Sequence, residues 1–96
     1  MRNTKATSPG RLAKRLGITK SRALEAVIKA KLIAAITREI DRRALTHTEV
    51  AARSGLPRTA VTGILSGSLQ KVTIDRVLCL LEAVGLEASV TVRHAA

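Results

Sequence analysis

Phenylalanine, tyrosine and tryptophan are all absent from this 96-residue chain. Its core must therefore be built from Leu, Ile, Val and Ala, as in many small helical bundles. Proteins that bind single-stranded nucleic acid stack bases on aromatic rings, and that mode is excluded here. Cys79 is the one cysteine, so no intramolecular disulfide can form and a reducing interior is the natural setting. No apolar run approaches the roughly 18 residues that span a bilayer. The basic amino terminus lacks the apolar core of a secretory signal, so a cytoplasmic location without membrane association is expected.

Acidic residues are scarce too: 7 Asp and Glu stand against 17 Lys and Arg, for a formal charge of +10. The excess is uneven. Residues 1–44 carry 12 basic and 3 acidic side chains, whereas residues 45–96 carry 5 and 4. The first 22 residues hold Arg2, Lys5, Arg11, Lys14, Arg15, Lys20 and Arg22 and no acid. Such a segment is drawn to a polyanion, and nucleic acid is the commonest in a cell. Without aromatic stacking platforms, duplex DNA is the better match.

Catalytic chemistry finds little to work with. His47 and His94, the only histidines, are not in ligand spacing with Cys79 or a carboxylate pair, so no metal site is expected. There is no phosphate-cradling G-x-x-x-x-G-K loop and no nucleophile, base and acid set. Cys79 sits between apolar residues and is expected in the core or an interface. The sequence predicts neither an enzyme nor a cofactor.

Organisation along the chain is helical. Residues 1–10 are polar and end in Ser8-Pro9-Gly10, a turn signal, and a short helical turn over 11–16 is stopped by Gly17. A long amphipathic helix is predicted over 21–43. Leu24, Ile28, Leu32, Ile36 and Ile40 recur along it every four residues, with Lys29, Lys31, Arg38, Glu39 and Arg42 mostly on the other side. Thr73 caps a further helix with Ile74, Val77, Leu78, Leu81 and Val84 on its apolar face, and Gly85 ends it. Leu86, Ala88, Val90 and Val92 then alternate with polar residues, the pattern of a half-buried strand. That strand has no partner in the chain, so pairing with its copy in a two-fold dimer is expected.

The densest local signals lie in residues 45–67, LTHTEVAARSGLPRTAVTGILSG. Thr46 and Glu49 form a capping box, and Leu45 and Val50 a hydrophobic staple. The helix they start ends near Ser54, where Gly55 supplies a positive-φ turn. Pro57 then opens a second short helix, closed by Gly67. Two short helices around a glycine turn form a helix-turn-helix, the layout of a major-groove DNA reader.

This segment resembles the Xre, or lambda-repressor-like, helix-turn-helix family. Leu45, Thr46, Glu49, Val50, Ala51, Gly55, Leu56, Val61, Ile64, Gly67 and Gly85 occupy matching positions. The long preceding helix and the closing strand are similar to small HigA-type antitoxins. The resemblance implies an all-α, lambda-repressor-like bundle of four to five helices with a C-terminal β-strand. It divides the chain into a flexible basic arm (1–20), a DNA-binding domain (21–86) and a dimerisation tail (87–96). Leu86, Ala88, Val90 and Val92 would form the dimer contact of a homodimer.

The implied function is a double-stranded-DNA-binding repressor of an inverted-repeat operator, autoregulating and paired with a small toxin protein. Arg58, Thr59 and Thr62 match the base-reading positions, and Arg58 suits guanine because a guanidinium can bond O6 and N7 together. Phosphate contacts would come from His47, Arg53 and Ser66, with Arg11, Lys14 and Arg15 of the arm. Three positions depart from the family: His47 replaces Gln, Pro57 replaces a capping Ser, and Gly63 replaces a long polar reader. These departures thin the base-reading surface and leave room for an alternative: a protein-interaction module that chiefly neutralises a toxin.

Overall fold

The Ser8 hydroxyl accepts from the Arg11 amide and begins the first helix, α1 (Pro9–Leu16), in the computed structural model, which describes residues 8–67 and 72–95. Residues 1–7 of the expected flexible arm lie outside the described residues. Pro9 stands in the first turn, where its missing N–H costs nothing, so α1 starts earlier than the predicted turn at residue 11. Gly17 closes it, and Thr19 caps the long α2 (Lys20–Arg43). Three short helices follow: α3 (His47–Ser54), α4 (Arg58–Leu65) and α5 (Ile74–Ala83).

One aliphatic core joins α2 to α5. Ile33, Ile36 and Ile40 of α2 meet Val50 of α3, Val61 and Ile64 of α4, and Val77, Leu80 and Leu81 of α5, with Val72 and Val84 at its edges. Helix α1 stays outside this cluster and packs on the first half of α2, where Ala13 and Ala23 are buried. From Ala23 to Ile40 the helix rises about 25 Å, so α1 packs at the opposite end of α2 from the residues that meet α3 and α4.

The apolar face of α2 differs from the predicted one. Leu24 (46% exposed) and Ile28 face solvent, while Lys29 (5%) is buried. Helical geometry gives the reason. A step of four residues advances about 40° beyond a full turn, so Leu24 and Ile40 end about 160° apart, whereas Lys29 lies within about 20° of Ile40. The same geometry corrects α5. Leu80 replaces Leu78 in the core, and Cys79, expected in the core or an interface, is exposed on the opposite face.

Two side chains of α2 pin α5 in a parallel orientation. Lys29 Nζ donates to the Val72 carbonyl and also pairs with Glu25 at 3.3 Å. Arg43 Nη1 donates to the Val84 carbonyl at 2.8 Å, at the far end of α5. Lys29→Met keeps the apolar stem but deprives a buried carbonyl of its donor. It should cost about 1–3 kcal/mol in urea unfolding.

The predicted C-terminal strand is not formed. Among the described residues there is no strand, and the fold is all-α with five helices. Leu86 is half-buried against the core, but Ala88, Val90 and Val92 are exposed, Val90 at 84%. Alternation sets which side chains share a face. A strand also needs a hydrogen-bonded neighbour, and there is none among the described residues.

Candidate nucleic-acid interface

The α3–α4 unit is held by local hydrogen bonds that its sequence specifies. Thr46 Oγ1 accepts from the Glu49 amide at 3.0 Å, and Glu49 Oε1 accepts from the Thr46 amide at 2.8 Å. The Thr46 bond also holds the Glu49 carboxyl below its ordinary value. Removing the box with Thr46→Ala should cost about 1 kcal/mol.

Acid should weaken the fold through the same contact. A carboxyl whose folded value is depressed contributes stability above its ordinary value, and that stability is lost as pH falls through the folded value. Glu39 behaves alike, lowered chiefly by its hydrogen bond from Arg42. The urea midpoint should therefore fall as pH drops below 4.5, the ordinary value of both carboxyls. Glu49→Gln should flatten part of that fall.

Gly55, at φ 76°, makes the turn, and Ser54 braces it by donating to the Ala51 carbonyl while accepting from the Leu56 amide. Pro57 holds the N-cap position of α4 without a side-chain cap bond, and no acidic residue stands in the first turn. The positive end of this helix is therefore unneutralised. Val61 and Ile64 bury one side of α4, which turns Arg58, Thr59, Thr62 and Ser66 outward on the other. Among the described residues no carboxylate pairs with Arg58, so its guanidinium fork is available to a ligand.

The predicted contacts fall into three places. Arg58 and Thr59 occupy the first turn of α4, and Arg53 is exposed on the last turn of α3. His47 and Thr62, assigned separately from sequence, come together: Nδ1 of His47 lies 3.0 Å from Oγ1 of Thr62. They line a shallow depression with Ser66 and with Asp41 of α2. Arg11, Lys14 and Arg15 are exposed on α1, at the distal end of α2. Ser66 is compromised as a phosphate donor, because its hydroxyl already donates to the Gly63 carbonyl at 2.8 Å.

Sequence inspection missed the His47–Thr62 link. The residues are 15 apart, and only the turn at Gly55 and the packing of α4 on α3 bring them together. The helical angle of Lys29 was legible, had the face been followed in alternating steps of three and four.

Two short helices at this turn, with one exposed polar face, match a known family. The helix-turn-helix domain family model covers residues 16–93. The chain belongs to the helix-turn-helix domain family. No curated protein and no solved structure matches it significantly. The match takes in all of α2 to α5 and most of the tail but only the last residue of α1, so Arg11, Lys14 and Arg15 lie outside it. This helix-turn-helix protein therefore has DNA as its expected partner, through a domain type that is not enzymatic. Among its described residues no helix is long and apolar enough to cross a membrane.

Proposed function

We propose that this helix-turn-helix protein is a sequence-specific repressor that binds double-stranded DNA at an inverted repeat as a homodimer. One observation carries the reading: the outward side of α4 presents Arg58, Thr59 and Thr62 together, and among the described residues no carboxylate pairs with Arg58. Arg58 reads guanine, and Thr59 and Thr62 make single bonds or touch a thymine methyl. His47 and Arg53 contact phosphates beside the reading helix; Ser66 joins them only by rotating its hydroxyl away from Gly63.

Arg11, Lys14 and Arg15 act elsewhere. As exposed cations on α1, outside the helix-turn-helix pair, they support sequence-neutral phosphate contacts. Dimerisation uses the tail. Leu86, Ala88, Val90 and Val92 form a strand once a second tail supplies the ladder, setting the two reading helices about 34 Å apart. In this reading 1–20 is a DNA-holding arm, 21–86 the reading domain and 87–96 the dimer contact. The setting is the cytoplasm, and the resemblance to HigA-type antitoxins supports autoregulation alongside a small toxin.

A second reading has its own observation. Leu16, Leu24 and Ile28 are exposed near the α1–α2 contact, away from the reading face. An apolar surface there suits a protein partner, which favours a toxin-neutralising module over a dedicated repressor.

The test is a binding titration of the purified protein against its own upstream DNA and a scrambled duplex of equal length, at two salt concentrations. Clear preference for the upstream DNA, with a steep salt dependence, supports the repressor. Equal affinity for both duplexes sinks it.

A further inference from the structure

The hydrogen bond between His47 and Thr62 sets the polarity of a base-reading hydroxyl. A threonine hydroxyl has one proton, so it can donate in only one direction at a time. When the imidazole is neutral with its proton on Nε2, Nδ1 accepts the Thr62 proton. Thr62 then offers outward only lone pairs, which suit the adenine or cytosine amino group. When the ring is protonated, Nδ1–H must donate to Oγ1, and the hydroxyl proton turns outward. That proton suits guanine O6 and N7, thymine O4 or adenine N7, and finds no acceptor on cytosine.

We propose that His47 is a positioning residue that fixes the donor sense of Thr62, making base preference at one operator position depend on the proton content of His47. The inference rests on the reading above, in which α4 faces base edges. The charged surroundings are simple. Among the described residues Asp41 of α2 is the only charged group besides His47 lining the depression that holds Thr62, and α4 offers uncharged side chains there. On α3 itself, the Glu49 carboxylate is engaged by the Thr46 amide. Arg58, one turn before Thr62 on α4, is the nearest cation along that face.

Ser66 shows why the partner matters. Its proton goes to the Gly63 carbonyl, a group that does not titrate, so its polarity is constant. Thr62 is bonded instead to a ring that can change from acceptor to donor.

The experiment has two arms on the full chain. Without DNA, the Thr62 methyl and the His47 ring are followed by NMR from about pH 5 to about pH 8, a range spanning ordinary imidazole titration. With DNA, single-base-pair variants of the operator are titrated at the two ends of that range. Wild type, His47→Gln and Thr62→Val are compared. The Thr62 methyl should titrate in step with the His47 ring. At the one position where Thr62→Val abolishes preference, the wild type should favour guanine or thymine over cytosine about 3- to 10-fold more at acid pH, the value of one neutral hydrogen bond.

His47→Gln should retain preference elsewhere in the operator and lose this pH dependence. A Thr62 methyl that ignores the His47 titration overturns the proposal whatever the DNA shows, as does pH dependence that survives in His47→Gln. Coupled titration with no preference for any operator sequence overturns it together with the repressor reading.

Discussion

Ile36→Ala should destabilise the protein by about 3 kcal/mol, within the 2–5 kcal/mol typical of large-to-small changes in cores. Ile36 is fully buried in the cluster shared by α2 and the three short helices. A small domain has only about 5–15 kcal/mol in total, so the substitution removes a large share of it. The melting temperature should fall by about 12–24 °C, at about 4–8 °C per kcal/mol for a domain of this size. Leu24→Ala, on the exposed side of the same helix, should change stability by no more than about 0.5 kcal/mol. Equal losses from the two would contradict the observed face of α2.

Arg58→Ala should weaken operator binding by about 5- to 150-fold, the equivalent of the 1–3 kcal/mol typical of a bidentate contact to a base. Binding to a scrambled duplex should change far less. The comparison separates two roles that geometry allows equally. A base reader loses sequence preference when truncated, whereas a phosphate contact weakens all duplexes alike and lowers the salt slope by about one. Combining Arg11→Ala, Lys14→Ala and Arg15→Ala should give the second pattern. Uniform weakening by Arg58→Ala would move that residue to the phosphate group and leave Thr59 and Thr62 as the only readers.

The helix-turn-helix was legible in the sequence because its determinants are local. Thr46, Glu49, Ser54, Gly55 and Pro57 act on backbone groups within a few residues of themselves, and the structure places each bond where the spacing required it. The face of α2 was less legible. A constant step of four gave the right residues near Ile36 and Ile40 and drifted off the core by Leu24. Lys29 misled for a chemical reason, since its charge suggests solvent while its stem and its bond to Val72 place it inside.

The candidate site divides along the same line. That Arg58, Thr59, Thr62 and Ser66 share one side of a helix follows from spacing alone. That Thr62 is bonded to His47, that Ser66 has spent its proton on Gly63, and that α1 holds its cations at the far end of α2 required the assembled fold.

By itself the sequence determined where helices begin and end, because caps and turns are satisfied by neighbours along the chain. Tertiary structure alone decided which face of α2 is buried, which polar pairs form across helices and that the alternating tail stays unpaired. Each of these depends on what the rest of the chain brings alongside, and for the tail there is no second strand among the described residues.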